Sequence, residues 1–361
     1  MIKTAQGVVT DIYFSDNNVT KLAALIDNEK QSCINYNNMT GNISLGDLIL
    51  VNTTAVEFRL GTGGYHFVIA NLSKPIVDNI NVGHIMKLRY TPFQINCMAA
   101  EAQESQYHKV FNEFDSLDGM PVIVGTLHSM VAPVSIYIKS QNPSSKICYI
   151  MTDGGALPIY LSDIIRRLKQ DKIVEYTITY GNAFGGDFEC INIYTALIAA
   201  KEIIKADVVI VCMGPGIIGT DTKYGFSGIE QGNIIDAANK LKGYVIQIPR
   251  ISFLDKRDRH YGISHHSITV LKDICCTKAN IAIPLLENQE HISRINKQIT
   301  ENRIESLHNI YYVDYEDINR VLLNRTEYLS KMGKSFLEDR EYFIGSAAAG
   351  KLAVKKLECL L

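Results

Sequence analysis

No Cys-x-x-Cys pair occurs among the eight cysteines, which argues against zinc ribbons and thioredoxin-like redox motifs. Cys275 and Cys276 are adjacent and cannot form an ordinary disulfide, while Cys148 and Cys212 sit inside apolar runs. The opening MIKTAQGVV lacks the apolar core of a secretory signal, and no apolar run approaches the length that spans a bilayer. Together these absences predict a protein of the reducing cytoplasm with no membrane partner. Charge of one sign is missing too: a net charge of -2 provides no global field for nucleic acid. The amino-terminal region carries no Lys/Arg stripe with interleaved aromatics, so nucleic acid is not an expected partner. Any anion site must be local. Internal repeats and low-complexity tracts are also absent.

The chain has 361 residues, 47% hydrophobic and 20% charged, enough for two cores. From Thr4 to Tyr90 short alternating runs such as GVVTDIYF, VTKLAALID, GDLILVN, YHFVIANL and HIMKLRY are broken by turn residues, and predict a small β-barrel domain over residues 1–95. In LGTGGYHF, Gly61, Gly63 and Gly64 lie between two strand-like runs, which favours a hairpin turn over a phosphate loop. A polar segment then predicts a helical linker over 96–120. After Pro121 strand-like and helical runs alternate through six strands, the grammar of an α/β, doubly wound, mostly parallel three-layer sandwich of Rossmann-like type over 121–361. One of its helices is expected from Glu189 to Lys205. The tail adds amphipathic helices, the strand-like run NIYYVD and the closing GSAAAGKLAVKKLECLL. Its small residues predict close helix packing, and the C-terminal helices are the expected contact between copies of the chain.

Ligands of open parallel sheets bind beyond the carboxyl ends of the strands, where helix amino termini and loop amides converge. There the first strand delivers His128 and Ser129, the second Asp153, Gly154 and Gly155, and the third Asn182, Gly185, Gly186, Asp187 and Glu189. The fourth ends in GPGIIGTDTKYGFSG and the fifth in RISFLDKRDRHYGISHHS. Each piece has a plain explanation as a helix cap or solvated loop. Five loops with this composition on one rim point instead to a single site.

GPGIIG follows a strand and matches G-x-G-x-x-G, but Pro215 occupies the turn and TDTKYGFSG stands where a helix should begin. A dinucleotide fingerprint is therefore not supported, and Arg250, where an acidic residue would be expected, leaves only a 2′-phosphorylated nicotinamide cofactor as an alternative. Gly214, Gly216 and Gly219 are read as letting the backbone approach an anion, with Thr220 and Thr222 supplying hydroxyls. Arg250, Arg257 and Arg259 are read as phosphate or carboxylate binders. A helix beginning near Ser264 would place His265 and His266 in its first turn and keep both rings neutral through its dipole.

The motifs TDGGALP, GNAFGGDFE, GPGIIGTDTKYGFSG, RISFLDKRDRHYGISHHSIT and NTTAVEFRLGTGGYHFV resemble those of an uncharacterised bacterial family of Gram-positive lineages, catalogued as a domain of unknown function. That resemblance implies no activity, cofactor or catalytic residue. The residues themselves predict an enzyme, a hydrolase or group transferase, acting on a phosphorylated or nucleotide-like small molecule. In it His128, His260, His265 or His266 would move protons, and Asp153 or Asp187 would orient or assist. One alternative is a metal-dependent hydrolase drawing ligands from those residues and Glu189; another is a non-catalytic metabolite sensor or scaffold. No cofactor is required by the sequence, although a divalent metal or a phosphorylated nucleotide would suit it.

Overall fold

Residues 2–75 and 82–359 are described by a computed structural model, in which the chain divides into two units, Met1–Cys97 and Met98–Leu361. In the first, β1 (Thr4–Ser15), β2 (Val19–Ile26), β3 (Glu29–Tyr36), β4 (Leu48–Asn52) and β5 (His66–Asn71) close a barrel in the order β1-β2-β3-β5-β4. Register shifts between Val9 and Asp11 and between Ile12 and Phe14 bend β1, as closure of so small a barrel requires. Leu22, Ile26, Ile49 and Val51 fill its interior. Two expectations change here. HIMKLRY does not join the barrel: Ile85–Lys87 pairs with Ile95–Cys97 as a separate ribbon. The Gly61–Gly64 turn follows a one-turn helix, Thr54–Glu57, rather than a strand.

The second unit begins with the residues read as a linker, of which only His108–Glu113 is helical. Its sheet contains β6 (Pro121–Val124), β7 (Ile147–Thr152), β8 (Tyr176–Tyr180), β9 (Phe188–Cys190), β10 (Val208–Met213), β11 (Tyr244–Gln247), β12 (Asn280–Leu285) and β13 (Asn309–Asp314). The order is β9-β8-β7-β10-β6-β11-β12-β13, and every pairing is parallel. The six expected strands are all present, joined by β9 and by NIYYVD at the two edges.

Alternation along the strands sorts the core into two layers. Ile123, Tyr149, Met151, Ile210 and Ile246 face one side, with α1 (Val131–Gln141) and α3 (Arg340–Glu358). Val122, Val124, Cys148, Ile150, Val209 and Val211 face the other, with the helices that start at Ile193 and Glu230. Burial on both faces is why these strands read as unbroken apolar runs. The closing small residues serve packing, as expected: a Cβ on Gly350 would stand 2.9 Å from the Val134 carbonyl oxygen of α1. The helix expected from Glu189 starts later, at Ile193, because Asn192 caps it through the amides of Tyr194 and Thr195.

The chain starts at β6 in the middle of the sheet, runs out to β9, returns to β10 beside β6, and then crosses to β11 and the opposite edge. Connections leaving β10 and β6 thus depart in opposite directions. That divergence opens a crevice at their carboxyl ends, the usual ligand position in this architecture.

Candidate functional site

A cavity of about 290 Å³ lies at this switch point. Thr126 and Leu127 reach it from the end of β6, Ile217, Ile218, Gly219 and Asp221 from the loop after β10, and Arg250, Arg257, Arg259, His260, His265 and His266 from the loop after β11. The fourth and fifth strands of the sequence pattern, β10 and β11, stand on either side of β6. Their loops still meet, because the opposed crossovers bring both over its end.

The loop after β11 folds back on itself through the antiparallel pair Ile251–Ser252 and Gly262–Ile263, with Ser264 N accepted by Arg250 O at 2.8 Å. Ser264 then caps the helix His265–Thr269, its Oγ accepting the His266 amide at 3.4 Å, as the sequence implied. The three imidazoles are brought together, with ring centroids 4.9 Å apart for His260 and His265, 5.4 Å for His260 and His266, and 4.1 Å for His265 and His266. His266 also stacks on Phe226 at 4.0 Å. Burial first, with the neighbouring rings and arginines adding to it, lowers all three ring pKa values, to about 4 for His260 and His266. The rings are neutral near pH 7, with desolvation the first cause in each.

Arg250 is the distinctive cation. Its Nη1 donates to His260 Nδ1 at 3.1 Å, and its buried Nε has no hydrogen-bond partner. Because a guanidinium has only donors, Nδ1 of His260 must accept, which places that ring's proton on Nε2. The other two arginines are already compensated. Arg257 makes a two-pronged contact with Asp255, at 2.9 Å from Nε and 2.6 Å from Nη2, and holds that carboxyl well below its ordinary pKa. Arg259 pairs with Asp221 of the glycine loop.

The glycine loop is less open to an anion than its sequence suggests. Thr220 Oγ1 donates to Gly225 O at 2.9 Å, and Thr222 Oγ1 accepts Gly225 N at 3.1 Å, so both hydroxyls brace the loop. The amides of Ile218 and Thr220 are spent on Ser227 Oγ and Gly225 O. Gly214 lies against Met151, where a Cβ would come within 2.9 Å of Sδ, and Gly219 lies over His266. Gly216 has φ 103°, a conformation that favours glycine.

Asp153, Asp187 and Glu189 do not line this cavity. Asp153 accepts Asn182 N at 2.7 Å. Asp187 accepts Thr177 N and Thr177 Oγ1, both at 2.8 Å, and pairs with Lys169. Glu189 accepts Thr179 Oγ1 at 2.6 Å and Gly185 N at 2.6 Å. For Asp187 and Glu189 the cause is β9: Phe188 pairs with Ile178, so residues 181–187 must return toward the amino end of β8 before β9 can run parallel. His128 lies in an adjoining cavity, where burial pushes its pKa down to about 4. Among the described residues no group of three His, Cys, Asp or Glu side chains is placed to hold a metal ion.

Lys331 lines both cavities and was not anticipated. Its Nζ pairs with buried Asp339 and lies 3.9 Å over the Tyr342 ring, while Ser252 Oγ donates to Asp339 Oδ1 at 2.7 Å. The only local signal was the turn in SKMGKS, where Met332 and Gly333 have φ of 49° and 77°.

Fold and cavity together define a two-unit protein with a closed barrel and a parallel α/β sheet whose switch-point crevice is lined by arginine and histidine. The chain belongs to the family described as a protein of unknown function, DUF3866, whose model matches residues 32–350. No match was found among curated proteins. No helix among the described residues is long and apolar enough to cross a membrane.

Proposed function

We propose that the switch-point cavity binds the anionic group of a phosphorylated or nucleotide-like small molecule and that the protein hydrolyses or transfers that group, in the cytoplasm of a Gram-positive bacterium. The observation that carries this reading is Arg250, with its buried, unpartnered Nε and no carboxylate mate among the described residues. A half-buried guanidinium whose Nε is out of water with its hydrogen bond unmade is costly unless an anion completes it. Arg250 would hold the group through Nε, with Arg257 and Arg259 recruited by exchange of their aspartate partners.

Three neutral imidazoles beside that cation support proton transfer. His260, with its proton on Nε2, is suited to donate to a developing oxyanion, and His265 or His266 to take a proton from water or an acceptor hydroxyl. All eight cysteines are free, which agrees with a reducing compartment. The test is hydrolysis of p-nitrophenyl phosphate and of nucleoside monophosphates by the full chain, beside phosphate binding by calorimetry. Turnover that disappears in Arg250→Met supports the reading. Absence of both binding and turnover defeats it, while binding without turnover leaves a phosphate-sensing protein.

A further inference from the structure

Leu127, Ile217, Lys331 and Met332 also line a second cavity, of about 380 Å³, which carries His128, Ser162 and Ile164. We propose that Ser162 is a nucleophile for acyl transfer, activated by His128, and that this second cavity receives a small carboxylic ester or thioester.

The hydrogen-bond chain sets the direction of proton flow. Tyr149 Oη donates to the Cys212 carbonyl at 3.3 Å. A phenol has one proton, so toward His128 Nδ1, 3.3 Å away, Tyr149 can only accept. The ring proton therefore sits on Nδ1, and Nε2 presents its lone pair to Ser162 Oγ at 2.5 Å. Nucleophile, base and orienting group thus stand in the sequence that general-base activation requires. Tyr149 is fully buried within the sheet, which fixes the orienter.

Ser162 also caps α2 (Asp163–Gln170), its Oγ accepting Ile165 N at 3.2 Å. A cap needs only that bond, so the His128–Tyr149–Cys212 chain is additional to it. The cap holds Oγ at the helix start, where the Ile164 amide, like every amide of a first turn, has no acceptor within its own helix and can meet an oxyanion.

In the reaction Oγ bonds to the acyl carbon as its proton passes to His128 Nε2. The carbon–oxygen or carbon–sulfur bond to the leaving group breaks, and His128 returns the proton to the departing alkoxide or thiolate. Water then attacks the acyl-serine by the same route, releasing the acid and restoring Ser162. No oxidant or metal enters the balance. The phosphate reading at Arg250 is not needed for this inference.

The test treats the full chain with a fluorophosphonate probe and maps the adduct by mass spectrometry, beside p-nitrophenyl butyrate hydrolysis. The expected adduct lies on Ser162. It should vanish in Ser162→Asn, which keeps a helix-capping oxygen, and form roughly 100-fold more slowly or worse in His128→Gln, the usual loss on removing a general base. Folded protein that takes no label, or Ser162 labelled equally fast in His128→Gln, overturns the proposal. Because the label needs no phosphate, its failure is separable from failure of the anion site.

Discussion

Arg250 Nη1 donates to His260 Nδ1 at 3.1 Å, a contact in which a permanent cation dictates the tautomer of a neutral imidazole. It also ties the anion site to the proton chemistry, because the same guanidinium lowers the pKa values of His260, His265 and His266.

Arg250→Met should weaken phosphate binding by about 1.5 to 3 kcal/mol, the range for a hydrogen bond to a charged group. Arg250→Lys should recover only part of it, since the planar fork is lost. Arg257→Met should cost less because Asp255 already engages that arginine. Asp255→Asn, which frees it, should tighten binding. Calorimetry on the four variants checks the order.

The histidines give stability a defined pH dependence. Free imidazole titrates near 6.5, whereas buried His260 titrates at about 4 in the folded chain. The unfolded state therefore binds protons first as pH falls. Stability is fully present above about pH 6.5 and is lost progressively as pH falls toward 4. Urea midpoints should be level from pH 7.5 to about 6.5 and fall from there to pH 4.5. His260→Gln should flatten the slope.

Asp187→Asn should behave as a structural variant. It loses the pair with Lys169 and weakens the bonds that brace Thr177, so denaturation should show a loss of about 1 to 3 kcal/mol. Phosphate affinity should be unchanged.

The strand runs were legible because burial on both faces writes them as apolar blocks, and the loops after β6, β10 and β11 were legible because their Gly, Arg and His content has little to do with packing. Asp187 was misplaced for a physical reason. β9 has three residues, Phe188, Glu189 and Cys190, too short to show a period, so in sequence its return path is indistinguishable from the carboxyl rim. The pair of Arg257 with Asp255 is legible in sequence, as the solvated-loop reading in which the charges of this loop pair with each other. The partner of Arg259 is not: Asp221 comes from another loop, and only the fold brings it there. Lys331 lies about eighty residues beyond Arg250, outside any local pattern.

Gly350→Val tests the close packing of α3 on α1. Its new Cβ would meet the Val134 carbonyl oxygen at 2.9 Å, and rigid backbone cannot give way as a side chain would. A loss of about 1 to 3 kcal/mol is expected by urea denaturation, as for other overpacked cores.

The central claim is that Arg250 awaits an anion, and the most direct measurement is a crystal structure of the full chain grown with inorganic phosphate. The account predicts phosphate in the switch-point cavity, with one oxygen accepting from Arg250 Nε at about 2.7 to 2.9 Å and another facing His260 Nε2. A structure in which Arg250 Nε is bonded to a protein carboxylate, or phosphate binds elsewhere while this cavity holds only water, would contradict it.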